Sequence, residues 1–131
     1  MTRVLVTGMS GTGKSSVLAE LHRRGHRTVD TDYGGWCVVH GSERLWHEER
    51  MDALLADDVD GILFVAGCVA NQGRFYHRFD EIVLLSAPLD VLLARVSARR
   101  TNPYGQDPAE RAAIIEHVAT IEPLLRKGAT A

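Results

Sequence analysis

Eight residues near the amino terminus, Gly8-Met9-Ser10-Gly11-Thr12-Gly13-Lys14-Ser15, constrain this chain more than any other feature. They fit the spacing G-x-x-x-x-G-K-[ST], and their flanks match the structural context that this spacing requires. An apolar run, about Arg3–Thr7, reads as a strand leading in, and about Lys14–Arg24 reads as a helix leading out. Glycines let the backbone turn so that successive N–H groups point inward at phosphate oxygens. The helix that follows adds its unpaired N-terminal N–H groups and the positive end of its dipole. The pattern therefore predicts a nucleoside triphosphate site lined by Gly8, Ser10, Gly11, Thr12, Gly13, Lys14, Ser15 and Ser16. Lys14 is expected to reach the β- and γ-phosphates and the Ser15 hydroxyl to ligate Mg²⁺, so ATP and Mg²⁺ are the expected cofactors. No signature in the base-contacting loops separates ATP from GTP.

The bulk composition bounds the remainder. At 131 residues the sequence suits one domain, taken as 1–131, long enough for a core but short for a complete nucleotide kinase. With 45% apolar and 24% charged residues and a formal charge of −2, it reads as an ordinary globular chain with no global positive field, which disfavours nucleic acid as a partner. No apolar stretch approaches the roughly 20 residues that span a bilayer, so no membrane partner is expected. The first strand begins too early for a signal peptide, which points to the cytoplasm. The two cysteines, Cys37 and Cys68, form no C-x-x-C pair and are expected to be reduced and to fill space. His47-Glu48-Glu49-Arg50-Met51 starts like a zinc-protease helix but lacks the second histidine.

Strand and helix patterns alternate, as in a parallel sheet flanked by helices. Gly25 is placed to stop the first helix. Thr28–Asp32 reads as a second strand with a polar end, Tyr33–Gly41 as a loop, and Glu43–Asp57 as a helix capped by Ser42. Gly61–Ala66 and Glu81–Ser86 are continuous apolar runs, the pattern of strands buried on both faces. Pro88 opens a helix with a core stripe at Leu89, Leu92, Leu93 and Val96, and Asp107-Pro108-Ala109-Glu110 carries a capping box that opens the last helix. Four strands can be placed where five are customary. The run Glu81–Ser86 is thus expected to be an uncovered sheet edge through which the chain could self-associate, and the sequence reads as C-terminally incomplete or partner-covered.

The phosphate loop resembles that of shikimate and gluconate kinases, small relatives of the adenylate kinase group. Asp30-Thr31-Asp32 is similar to the D-x-D of shikimate kinases, and Val65-Ala66-Gly67-Cys68 with Asn71-Gln72-Gly73-Arg74 resembles the substrate loop of gluconate-type kinases. Arg95 to Arg100, with the polar stretch after it, looks like their helix-into-lid segment. Departures are present as well. Gly67-Cys68-Val69-Ala70 stands where shikimate kinases carry three glycines, and Tyr33 to Asp60 is short for a nucleotide-monophosphate clamp. The resemblance implies a three-layer α/β P-loop NTPase fold with its parallel strands in the order 2-3-1-4.

It also implies roles. Asp32 would position the acceptor hydroxyl or serve as base, and Asp30 would hold Mg²⁺ through water, with the reverse assignment open. Arg95 and Arg99 fall one helical turn apart and, with Arg100, would form a lid stabilising the migrating phosphoryl group, with Arg99 also touching ATP. Arg74 and Asn71 are candidate acceptor contacts beside Asp32, and Tyr33, Trp36, Arg44 and His47 are weaker ones. Each of these has an ordinary structural alternative: aspartates form turns, arginines suit helix ends, and surface charges are common. The implied activity is Mg²⁺-dependent transfer of the ATP γ-phosphoryl group to a hydroxyl of a small molecule. A nucleotide-binding regulatory module with little transfer, and a kinase of nucleotide or RNA ends, are the alternatives.

Overall fold

The computed structural model describes residues 2–9, 12–41, 43–57, 60–98 and 108–131. The chain runs β1 (Thr2–Gly8), α1 (Lys14–Arg23), β2 (Arg27–Asp30), β3 (Cys37–His40), β4 (Glu43–Trp46), α2 (Glu48–Ala56), β5 (Ile62–Ala66), a 3-10 helix (Gln72–Arg78), β6 (Glu81–Leu85), α3 (Leu89–Ala98), α4 (Pro108–Thr120) and α5 (Glu122–Gly128). Strands β2, β5, β1 and β6 lie side by side in that order, all parallel. Numbered among themselves along the chain they are 2-3-1-4, the order that the resemblance implies. This is a P-loop NTPase fold.

Side chains alternate across each strand, and the two faces of the sheet are both buried. On one face Leu5, Leu63, Val65 and Ile82 pack with Trp46, Met51, Leu54, Leu55, Phe75 and Phe79. On the other, Val4, Val6 and Ala66 meet Leu18 of α1. Met9, in the phosphate loop itself, is buried with Leu92 of α3 and Leu125 of α5, so two helices hold the loop's root. Helix α1 ends as its sequence predicts. Gly25 adopts φ 89°, and the N–H groups of Gly25 and His26 reach back to the carbonyls of His22 and Leu21 in a Schellman closure.

Three expectations are corrected. The stretch read as a loop followed by a helix from Glu43 holds a hairpin instead. β3 and β4 pair antiparallel, with Cys37 opposite Trp46 and His40 opposite Glu43, and α2 starts only at Glu48. His47 caps that helix, its Nδ1 accepting the Arg50 N–H at 3.3 Å, while Ser42 and Asp107, the caps predicted from sequence, lie outside the described residues. The reason is burial: Trp46 is 1% exposed at the end of β4, and extended backbone at 43–46 delivers it into the core beneath the sheet.

The second correction concerns the edge at β6. The N–H groups of Thr130 and Ala131 donate to the Ile82 carbonyl at 2.8 and 3.2 Å, and the Ala131 carbonyl accepts the Leu84 N–H at 2.9 Å. That is the bonding of a parallel neighbour opposite Val83. Thr130 Oγ1 accepts the Ile82 N–H at 2.8 Å as well. Residues 82–84 are therefore covered by the chain's own last residues, which occupy the position of a fifth strand. Strand 2 is also shorter than read, with Thr31 and Asp32 in the turn beyond it.

Candidate functional site

The site lies at the carboxyl ends of β1, β2 and β5, the position at which open parallel sheets form ligand crevices. Gly8 ends β1 with φ 152°, and a Cβ there would collide with the Leu85 carbonyl oxygen and the Thr12 hydroxyl. Only glycine lets the loop leave the sheet this close to β6. Thr12, buried, ties the loop's far side back, its N–H and Oγ1 both donating to the Met9 carbonyl at 3.2 and 2.8 Å. Gly13 then forms the N-cap of α1, whose first residues are Lys14, Ser15 and Ser16. Lys14 Nζ donates to the carbonyls of Gly8 and Met9 at 2.7 and 3.0 Å, folding the ammonium over the loop. Ser10 and Gly11 lie outside the described residues.

Across from the loop, Ser15 Oγ donates to Asp30 Oδ2 at 2.6 Å. The other carboxylate oxygen of Asp30 accepts the Asp32 N–H at 3.2 Å, which fixes the turn after β2. Asp32, part-buried, receives Arg44 of β4 twice: Nη2 bonds its backbone carbonyl at 3.0 Å and Nη1 stands 3.8 Å from Oδ1. A hydroxyl and a carboxylate, side by side at the root of a phosphate loop, are hard oxygen donors of the kind Mg²⁺ takes beside substrate phosphates. Among the described residues, no group of three or more His, Cys, Asp or Glu is placed to hold a metal ion.

The third wall is built on buried polar groups that sequence reasoning missed. Thr31, 1% exposed, donates from Oγ1 to the Ala66 carbonyl at 2.7 Å and accepts the Trp46 indole N–H at 2.9 Å. Gly67 lies against this pair. A Cβ on it would meet Thr31 Oγ1 and, at 3.1 Å, the Trp46 ring. Gln72 donates from Nε2 to Thr7 Oγ1 at 3.0 Å and to the Tyr76 hydroxyl at 2.9 Å, and accepts the Val69 N–H at 2.9 Å. Asn71 binds the Trp46 main chain at both ends of its amide, accepting the N–H at 2.8 Å and donating to the carbonyl at 3.1 Å.

The sequence-predicted residues thus divide. Lys14, Ser15, Asp30 and Asp32 come together with the phosphate loop. Asn71 is turned to β4 rather than to the crevice, and Arg74, on the 3-10 helix, pairs with Glu48 of α2 at 2.9 Å on the surface. Arg95 is exposed on α3, while Arg99 and Arg100 lie outside the described residues. Cys68 follows Gly67, with Thr7 and Lys14 as neighbours. Burial pushes its thiol up against the opposing pull of the Lys14 ammonium. Burial likewise raises Cys37, whose Sγ donates to the Thr31 carbonyl at 3.1 Å, with Arg44 pulling the other way.

Residues 4–116, from β1 into α4, match the family described as AAA domain. The chain belongs to the AAA domain family. This AAA domain is 30% identical over 135 residues to a nucleotide-binding protein of Methylobacillus flagellatus, an alignment covering 98% of this chain and 46% of that protein. It is 32% identical over 123 residues to a nucleotide-binding protein of Acidithiobacillus ferrooxidans, covering 90% of this chain and 40% of that one. The chain therefore spans less than half the length of the curated relatives it matches. Among solved structures, its fold is similar to a shikimate kinase from Acinetobacter baumannii in complex with shikimate, with a TM-score of 0.67 at 18% identity over 99% of this chain and 81% of that one. The protein TT1252 from Thermus thermophilus gives 0.65 at 21% identity, over 98% and 85%. In the described residues of this AAA domain, no helix is long and apolar enough to cross a membrane.

Proposed function

We propose that this AAA domain binds Mg·ATP along the phosphate loop and transfers the γ-phosphoryl group to a hydroxyl of a small molecule. The observation that carries the reading is the convergence of Lys14, Ser15 and Asp30, with Ser15 Oγ 2.6 Å from the Asp30 carboxylate at the root of α1. Bound Mg²⁺ would supply positive charge that offsets the negative charge of the phosphates. Ser15 and Asp30 are the residues that would hold it. Lys14 would exchange its bonds to the Gly8 and Met9 carbonyls for β- and γ-phosphate oxygens. Gly8, Ser10, Gly11, Thr12, Gly13 and Ser16 would supply backbone and hydroxyl donors. Asp32, one turn further from β2, is the residue to align the acceptor hydroxyl and receive its proton, and Arg44 holds its main chain. Arg95 and Arg99 would close over the transferring group. The kinase-like fold supports this reading, and it treats residues 1–131 as one nucleotide-binding domain acting in the cytoplasm.

The test is coupled ADP release with Mg·ATP and a panel of sugar acids, cyclitols, amino sugars, nucleosides and nucleoside monophosphates. Stimulation by one class, absent from Lys14→Ala, is the expected result. Flat traces from protein that binds ATP would instead support a nucleotide-binding module without transfer. That second reading is favoured by one observation: the relatives are named only for nucleotide binding, and this chain matches 46% of one and 40% of another.

A further inference from the structure

Asn71 and Gln72 are adjacent, and their two amides hold opposite walls of the crevice. Asn71 bonds the N–H and carbonyl of Trp46 through its side-chain amide, and the Ala70 N–H donates to the Arg44 carbonyl at 3.1 Å, so residues 70–71 cover the free edge of β4. Gln72, 3% exposed, reaches the other way to Thr7, the residue directly before Gly8, across 65 positions of sequence. It also fixes the Val69 N–H between Gly67 and Asn71. Through Arg44, the β4 strand that Asn71 holds is the strand that grips Asp32. One short turn thus ties the origin of the phosphate loop to the hairpin carrying the acceptor-side groups. Each amide oxygen and nitrogen of the two side chains has a hydrogen-bond partner, and a bonded network of this kind restricts the geometry around it.

We propose that Asn71 and Gln72 are positioning residues: they set the separation between the phosphate loop and the β3–β4 hairpin, so that occupation of the loop is felt in the hairpin. The inference rests on the reading of the loop as a Mg·ATP site. It goes further in giving the hairpin a nucleotide-dependent state and in assigning Asn71 to geometry rather than to acceptor contact.

The experiment is hydrogen–deuterium exchange of the full chain with and without saturating Mg·ATP, alongside calorimetric titration with Mg·ATP. In the wild type, Mg·ATP is expected to slow exchange both in residues 8–16 and in residues 37–46. Gln72→Met keeps length and apolar packing but removes all three bonds. It should bind Mg·ATP within about threefold of wild type, yet lose most of the slowing in 37–46 while keeping it in 8–16. Asn71→Asp keeps the acceptor for the Trp46 N–H and replaces the donor with a carboxylate oxygen that faces the Trp46 carbonyl, at a part-buried position outside the apolar core. It should show the same selective loss to a smaller degree, and it decides the matter should Gln72→Met fail to fold. A merely structural role would raise exchange in 37–46 equally with and without nucleotide, and that result overturns the proposal. So does a hairpin response that survives in both variants. If wild-type protein shows no calorimetric binding of Mg·ATP, the functional reading fails first and the proposal falls with it, an outcome distinct from binding without a hairpin response.

Discussion

Two walls of the crevice are held in different ways. The phosphate-loop wall is made of main chain: Gly8 passes against the Leu85 carbonyl, Thr12 bonds back to Met9, and the Met9 side chain is buried between α3 and α5. The hairpin wall has only four residues in each of its strands and is fastened to the rest of the fold by side-chain contacts in both directions. Trp46 is anchored on Thr31, Asn71 on the Trp46 backbone, Arg44 on Asp32, and Arg50 stacks over Trp36 with its guanidinium carbon 4.2 Å from the ring centroid. Outside these anchors the hairpin is open, with Val39 75% exposed. A wall of backbone geometry serves a ligand group that never varies, such as phosphate. A wall of side-chain fasteners can be reshaped for different partners without disturbing the sheet.

This contrast can be broken at several points. Trp46→Ala removes the hairpin's buried anchor, along with its edge contact to Phe75 and its tilted contact to Phe79. It should cost about 3–5 kcal/mol in urea unfolding. Equal loss of Mg·ATP affinity at temperatures where the variant is folded would mean the walls are not separable. Lys14→Ala should do the opposite, lowering turnover by about 10²–10³-fold while the unfolding midpoint stays near wild type. Near-normal turnover would remove the phosphate-loop wall from the chemistry. Gly67→Ala pushes a methyl against Thr31 and the Trp46 ring where the walls meet, and about 1–3 kcal/mol of destabilisation is expected by thermal and urea melts. Arg44→Ala breaks a partly exposed pair with Asp32. Its stability cost should be about 0–1 kcal/mol, but any acceptor-stimulated turnover should fall, with Mg·ATP affinity unchanged. The smallest effect concerns the thiols. Burial raises both, so each should alkylate more slowly with iodoacetamide at pH 7 than free cysteine and speed up as pH rises into the thiol range. Mg·ATP should protect Cys68, beside Lys14, more than Cys37 on the hairpin, as read by mass spectrometry.

The phosphate-loop wall was legible from sequence because its determinants are local. Glycine spacing, an apolar strand before it and a helix after it all fall within about two dozen residues, and Gly25 marks the stop. The order of the four parallel strands followed from the resemblance of that unit to known kinases. The hairpin wall was not legible. Glu43, Leu45 and Trp46 suit a helix as well as a strand, and they run directly into the helical Glu48–Ala56, so a single helix was the natural reading. The valines at 38 and 39 were the available strand signal, in a run too short to outweigh the glycines around it. From sequence, Asn71 suggests an acceptor contact and Gln72 only a member of the substrate-loop resemblance; their structural roles are hidden because their partners lie 25 and 65 positions away and no spacing rule connects them. The covering of β6 was hidden likewise, since Thr130 and Ala131 carry no strand pattern and act through main-chain bonds.

The posture of Lys14 has a consequence for how a ligand arrives. Its ammonium already satisfies the Gly8 and Met9 carbonyls, so entry of a phosphate is an exchange of partners rather than the filling of a vacancy. The affinity measured for any anion is then a difference between two good bonding arrangements. A weakly charged anion such as chloride gains little by that trade, whereas a polyphosphate with several oxygens gains much. On the reading proposed above, the lysine would act as a threshold, favouring ligands with enough charge to displace the backbone carbonyls over monovalent anions.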